Sequence, residues 1–171
     1  MIRNLYLVTV FALLFALTAF TPVPNESLIK DVSVAELEKA LKQSTNQLVV
    51  YNFWATWCGP CKEELPYFEA LQKAYPDKTL KVILLSLDFP SGRKYLPDFV
   101  KEKGMEAEVW YLHDWMEGND WIGRINKKWS GAIPATILNM PSKGIKDFKE
   151  GELTKEELNS WVAGTMEKAG L

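Results

Sequence analysis

Two cysteines are the side chains of this sequence best suited to covalent chemistry. Cys58 and Cys61 are the only cysteines among 171 residues, and Gly59 and Pro60 separate them. Thiols in a C-x-x-C arrangement can close a disulfide only where the backbone turns sharply, and the start of a helix provides such a turn. Pro60 suits the first turn of a helix, because its missing N–H would be unpaired there in any case.

The elements on either side of the cysteines indicate how the pair is used. Residues 47–54 form a β-branched and aromatic run that predicts a strand, and residues 60–75 keep the spacing of a helix, with a kink expected at Pro66. A C-x-x-C pair between a strand and a helix is typical of a redox-active dithiol. A structural disulfide closing so short a loop would constrain the unfolded chain little. The sequence therefore favours a working dithiol.

The rest of the pattern predicts an α/β fold with a central mixed sheet flanked by helices. Residues 80–87 are a continuous apolar run, of the kind that is buried on both faces in a parallel sheet. The turn residues at 141–144 predict a hairpin. The order of elements is then βαβαβ followed by ββα, with a parallel half built by crossovers and an antiparallel half built by the hairpin. The other predicted helices span 33–44, 95–103, 120–129 and 154 onward, and the other predicted strands span 108–112, 132–140 and 145–149.

The first 21 residues differ from the rest of the chain. Residues 1–4 carry a positive charge and residues 5–20 are an almost unbroken apolar run, which is typical of a signal peptide or an N-terminal membrane anchor. Ala19 is a small residue suited to precede a cleavage site. Because Phe20-Thr21-Pro22 is a poor context for cleavage, both alternatives stay open.

Composition and charge indicate one exported domain. The chain is 47% hydrophobic and long enough to bury one full core, so we expect a linker over residues 22–30 and a single domain over residues 31–171. The formal net charge is -2 and lysines alternate with acidic residues, so a nucleic-acid partner is not expected. We expect an extracytoplasmic, periplasmic protein, secreted across the inner membrane or anchored to it through residues 5–20.

Several short stretches carry a resemblance to a known family. They are Phe-Trp-Ala-Thr-Trp-Cys-Gly-Pro-Cys at 53–61, Glu64 and Pro66 just after it, Ala-Ile-Pro-Ala-Thr at 132–136, and the apolar N-terminal run. With them the chain resembles the thioredoxin superfamily and, within it, the exported thiol–disulfide oxidoreductases of the TlpA/ResA type. The resemblance implies a thioredoxin-like fold and an enzyme that exchanges thiols and disulfides.

The resemblance also implies a separate role for each cysteine. Cys58 would be the nucleophile, because a helix N-terminus stabilises a thiolate and the thiolate is the form that attacks a disulfide. Cys61 would resolve the mixed disulfide, and the Cys58–Cys61 disulfide would be the redox group, with no further cofactor and no metal. The Gly-Pro dipeptide is that of thioredoxin, whose potential is about -270 mV, so we expect a reductant. The expected partners are proteins with thiols or disulfides and a membrane-linked thiol electron donor.

The family places a cis proline beside the dithiol, and Pro134 matches it. The preceding Ile133 would then offer its backbone N–H and C=O to an extended substrate segment. Trp57, Gly59 and Pro60 would complete the substrate-binding surface around the cysteines. From the residues alone, a trans proline at the start of an edge strand is the ordinary alternative.

One acid–base position separates this chain from ordinary thioredoxins. Asn52, which cannot titrate, stands where thioredoxins carry a buried Asp on the central strand. Glu64 lies three residues after Cys61, on the same helix face, and matches a Glu of the ResA-like branch. We expect Glu64 to exchange a proton as Cys61 reacts, with a pKa raised by burial. The alternative is a solvated helix residue like Glu63.

The two cysteines are also compatible with other functions. The two cysteines could serve a metal- or haem-handling binding protein, although Lys62 stands where a haem-attachment motif needs His. A peroxiredoxin-like peroxidase and a domain that keeps the fold without the chemistry are further alternatives. His113, the only His, is expected to be structural. Residues 114–130 fit the family least, and Trp115 and Trp121 within them could line a partner surface.

Overall fold

A mixed sheet of six strands forms the centre of the part of the protein that the computed structural model describes, residues 29–171. The order across the sheet is β1-β4-β3-β2-β5-β6. Strands β1, β4, β3 and β2 run parallel to one another, whereas β5 is antiparallel to β2 and β6 is antiparallel to β5. The predicted fold class is confirmed. The strands are β1 (Ile29–Val32), β2 (Leu48–Trp54), β3 (Leu80–Ser86), β4 (Glu108–Leu112), β5 (Ala135–Met140) and β6 (Ile145–Glu150).

Helices cover both faces of the sheet. They are α1 (Val34–Lys42), α2 (Gly59–Ala74), α3 (Leu96–Glu102), α4 (Asp120–Ile125) and α5 (Lys155–Ala169). Side chains of α2, α3 and α5 pack together on one face, and those of α1 and α4 pack on the other. Capping boxes at Ser33 and Thr154 begin α1 and α5, as the sequence predicts, because each hydroxyl accepts a backbone N–H that the helix leaves unpaired.

Strand β2 is buried along its whole length and separates two layers of the core. Successive side chains of a strand point to opposite faces, so its residues divide between the layers. Leu48, Val50 and Trp54 pack with the layer of α2, α3 and α5, whereas Val49, Tyr51 and Phe53 pack with the layer of α1 and α4. By the same alternation Asn52 points toward α2, the helix that begins at the cysteines.

The structure differs from the predicted elements in three places. The edge strand β1 was not predicted, since two of its four residues, Lys30 and Asp31, are exposed and it forms by pairing with β4. The predicted helix over 120–129 ends at Ile125, because the backbone of Asn126 is extended rather than helical. Strand β5 begins at Ala135 rather than at 132, because Ala135 is the first residue of this segment that pairs with β2 and β6.

The predicted export segment lies outside the described residues, as does most of the predicted linker. Within residues 29–171 no helix is long and apolar enough to cross a membrane.

Candidate active site

The dithiol lies where β2 ends and α2 begins. Cys58 is the residue that caps α2, and its extended backbone turns the chain from strand to helix. The N–H of Cys58 donates to Ala55 O at 3.1 Å, and the N–H of Cys61 donates to Cys58 Sγ at 3.3 Å. The two cysteines form a disulfide, with their Cα atoms 5.3 Å apart. The strand-to-helix context predicted from the sequence is therefore present.

The two cysteines differ in their access to solvent. Cys58 keeps 6% of its surface exposed and follows Trp57, which is 51% exposed, whereas Cys61 is fully buried. Only the first sulfur can therefore meet the disulfide of another protein without a change in the fold. The N–H groups at the start of α2 point toward Cys58, and they would stabilise negative charge on its sulfur.

The segment before β5 completes the opposite side of the dithiol. The Ile133–Pro134 peptide bond is cis, as the resemblance implied. Cys58 Sγ lies 3.9 Å from Ile133 O. Within residues 29–171, neither the N–H nor the C=O of Ile133 bonds to another backbone group, whereas the C=O of Pro134 accepts a hydrogen bond from Gly151 at 2.8 Å. Ile133 thus has a backbone donor and acceptor without backbone partners in the described part of the chain, and its acceptor lies next to Cys58 Sγ.

Glu64 is fully buried one turn after Cys61. Its Oε1 accepts a hydrogen bond from Asn52 Nδ2 at 2.7 Å, and its Oε2 accepts one from the N–H of Leu153 at 2.9 Å. Burial raises the pKa of Glu64 to about 7, although both hydrogen bonds act in the opposite direction and Glu152 contributes a weaker upward effect. A carboxyl group that titrates near neutral pH is suited to exchange protons at that pH.

Asn52 connects Glu64 to β5. Its Nδ2 donates both to Glu64 and to Thr136 Oγ1, the latter at 3.2 Å. Its Oδ1 is buried and has no hydrogen-bond partner in the described part of the chain. Buried polar atoms without partners are uncommon, and each costs free energy. The amide therefore has an unused acceptor next to a group that can gain a proton.

Asp88 is a further residue of the site, and no motif in the sequence indicates it. It is 1% exposed and follows β3, next to the end of β2. Its carboxylate accepts the N–H of Thr56 at 3.1 Å, the hydroxyl of the same residue, and the hydroxyl of Ser86 at 2.7 Å. Asp88 thereby fixes the loop that precedes Cys58. The sequence feature that could have indicated Asp88 is the presence of polar residues at the carboxyl ends of two predicted strands.

Other residues named from the sequence lie apart from the cysteines. His113 is exposed beyond β4, and its backbone N–H donates to Val32 O at 3.0 Å. Among residues 29–171 no group of three or more His, Cys, Asp and Glu side chains could hold a metal ion. Trp121 is 3% exposed and belongs to the core, so the suggestion that it lines a partner surface is wrong. Trp115 is half-buried and contacts Phe89.

A mixed sheet with a C-x-x-C disulfide at the start of a helix and a cis proline beside it defines a thioredoxin-like thiol–disulfide oxidoreductase. Comparison with known proteins agrees, since residues 28–100 match the Thioredoxin family model. The chain is 28% identical to the thiol–disulfide oxidoreductase ResA of Oceanobacillus iheyensis, over 93% of this chain and 84% of that protein. It is 30% identical to ResA of Bacillus thuringiensis subsp. konkukian, over 79% of this chain and 72% of that protein.

Solved structures support the same assignment. The crystal structure of StoA from Bacillus subtilis superposes with a TM-score of 0.52 at 27% identity, over 70% of this chain and 84% of that one. The chain belongs to the thioredoxin superfamily and, within it, to the ResA-like thiol–disulfide oxidoreductases.

Proposed function

We propose that this protein reduces disulfides of other proteins outside the cytoplasm, with Cys58 as the attacking sulfur and Cys61 as the resolving sulfur. The observation that carries the proposal is the difference in burial of the two cysteines. Cys58 keeps 6% of its surface exposed and its Sγ lies 3.9 Å from Ile133 O, whereas Cys61 is fully buried. A partner protein can therefore reach one sulfur and not the other.

The reaction begins with the reduced dithiol. The thiolate of Cys58 attacks one sulfur of the substrate disulfide, a mixed disulfide forms, and the other substrate sulfur leaves as a thiolate. The thiolate of Cys61 then attacks Cys58 Sγ, and the second substrate sulfur leaves. Two electrons pass to the substrate, and the enzyme ends with the Cys58–Cys61 disulfide, the state that the structure contains.

Substrate backbone would be held by Ile133 during the first step. Its N–H and C=O are free of backbone partners in the described part of the chain and lie beside Cys58. An extended substrate segment can pair with both groups in the manner of an added strand. Trp57, Gly59 and Pro60, which are exposed around Cys58, would complete the substrate-binding surface.

Glu64 would take the proton of Cys61 in the second step. Cys61 must lose its proton before it can attack, and Glu64 lies on the same face of α2, one turn further along. With a pKa near 7 the carboxyl can accept that proton and later release it to solvent. When the enzyme is reduced again by a membrane-linked thiol donor, the same proton transfer runs in reverse.

A turnover assay with oxidised insulin tests the proposed direction and the two cysteines. With dithiothreitol as electron source, the native protein is expected to accelerate insulin reduction, and Cys58→Ala is expected to show only the background rate. Cys61→Ala is expected to lose turnover as well, since the mixed disulfide cannot be resolved. Full turnover by Cys58→Ala would contradict the proposal.

The location outside the cytoplasm rests on the apolar run at residues 5–20. Expression of the full chain in a bacterium, followed by fractionation, tests it. Release by osmotic shock would indicate a cleaved signal, and retention with the inner membrane would indicate an anchor. Recovery with the cytoplasmic proteins would contradict the proposed location.

A further inference from the structure

Three aromatic rings form a continuous strip next to the dithiol. The rings of Trp57 and Phe89 stack with centroids 5.5 Å apart, and Phe89 contacts Trp115 with centroids 5.8 Å apart. Trp57 follows β2, Phe89 follows β3 and Trp115 follows β4, so the strip crosses the carboxyl ends of three neighbouring parallel strands. We call these three residues the aromatic strip.

The strip is held in place by bonds to the backbone. The indole N–H of Trp115 donates to Asp88 O at 3.3 Å, and the indole N–H of Trp121 donates to Trp115 O at 2.9 Å. The carboxylate of Asp88 fixes Thr56, the residue before Trp57. The Trp115 ring and the backbone that carries the strip are therefore positioned in advance, and they lose little freedom when a ligand covers the strip.

Much of the strip is open to solvent. Trp57 is 51% exposed and Phe89 is 44% exposed, and both are among the few large apolar side chains exposed in residues 29–171. Exposed apolar surface of this kind usually marks a contact site. The strip begins at the residue before Cys58, so any protein whose sulfur reaches Cys58 must also cover Trp57.

From this continuity we infer that the aromatic strip selects its substrates, favouring oxidised protein segments that carry an aromatic or large aliphatic residue next to the attacked cysteine. The inference rests on the proposed function and names the class of segment which that function acts on. The groups on the two sides of Cys58 would bind different parts of the substrate. Ile133 binds substrate backbone without regard to sequence, and Phe89 and Trp115 contact a neighbouring side chain.

Two peptide substrates test the inference. Each has two cysteines joined in an intramolecular disulfide, and they differ only in the residue before the first cysteine, which is Phe in one and Ser in the other. The native full-length protein is expected to reduce the Phe peptide with a kcat/KM about fivefold to tenfold higher, a difference typical of one aromatic contact. Phe89→Ala is expected to bring the ratio close to one.

Two further variants show whether a change in the ratio comes from loss of the Phe89 ring. Phe89→Tyr keeps the ring and is expected to retain the preference, which separates loss of the contact from loss of the fold. Tyr95→Ala removes an exposed aromatic side chain, 61% exposed, that makes no ring contact with the strip, and it is expected to keep the native ratio.

The outcomes separate this inference from the proposed function. Equal kcat/KM for both peptides with the native protein, or an unchanged ratio in Phe89→Ala, would overturn the inference and leave the proposed function standing. Reduction of neither peptide by the native protein would overturn both.

Discussion

Replacing Glu64 by Gln is expected to stabilise the protein above pH 7. Glu64 is fully buried, and burial raises its pKa from an ordinary 4.5 to about 7. One pKa unit corresponds to about 1.36 kcal/mol. The difference between the two pKa values therefore corresponds to about 3 kcal/mol of unfolding free energy, lost when the buried carboxyl must ionise.

The pH range of this effect follows from the two pKa values. Below about pH 4.5 the carboxyl is protonated in both the folded and the unfolded chain, and it causes no loss. Between pH 4.5 and about 7 the unfolded chain releases the proton while the folded chain keeps it, so stability falls as the pH rises. Above that range the loss is complete and stays constant. A Gln at this position does not titrate and avoids the loss.

The surroundings of Glu64 can accept the amide. The N–H of Leu153 can donate to the Gln oxygen as it now donates to Glu64 Oε2. The Gln NH₂ needs an acceptor in place of the donor Asn52 Nδ2. Asn52 Oδ1 has no hydrogen-bond partner in the described part of the chain, and it becomes that acceptor if the Asn52 amide turns over.

Urea unfolding of the oxidised protein at pH 4.5 and pH 8.5 measures the effect. The unfolding free energy of Glu64→Gln minus that of the native protein is expected to rise by about 2–3 kcal/mol between the two pH values. Glu63→Gln, which changes the exposed neighbour, is expected to show a constant difference. A pH-independent difference for Glu64→Gln would refute the raised pKa.

Three other predictions concern the residues around the dithiol. Asn52→Leu removes a hydrogen bond to the carboxylate, so carbon-13 NMR should find the pKa of Glu64 about one to two units higher; an unchanged value would contradict the contact. Asp88→Ala leaves the donors of half-buried Thr56 and buried Ser86 without their acceptor and should lower the unfolding free energy by about 2–3 kcal/mol in urea, and a loss below 1 kcal/mol would argue against this role. The rate of the resolving step, measured by stopped flow, is expected to depend on pH near pH 7 in the native protein and in Glu63→Gln but not in Glu64→Gln. The same pH dependence in Glu64→Gln as in the native protein would exclude the proton transfer.

The central strands could be predicted because their own residues are mostly apolar. β2 and β3 are mostly apolar, with Asn52 the only polar side chain other than a Tyr in β2 and with Lys81 and Ser86 in β3, and such strands occupy the middle of a sheet. The capping boxes of α1 and α5 were recognisable for a similar reason, since both partners lie within four residues. By contrast, β1 is short and half charged, and its pairing with β4 is a property of the assembled sheet.

Much of the candidate site depends on contacts that no local pattern reveals. The spacing from Cys61 placed Glu64 on the correct helix face, but its partners Asn52 and Leu153 lie on β2 and just before α5. Asp88 acts on Thr56, 32 residues earlier, through the adjacency of two strand ends. Such pairs become visible only once the order of the strands is known.

The assignment of the two sulfurs is the central claim, and trapping tests it most directly. Reduced Cys61→Ser is mixed with oxidised insulin, and the product is analysed by mass spectrometry after proteolysis. We predict a stable mixed disulfide on Cys58, since the resolving sulfur is absent. The matched variant Cys58→Ser is predicted to form none, because Cys61 is fully buried. Equal adducts on Cys61 in that variant would contradict the account.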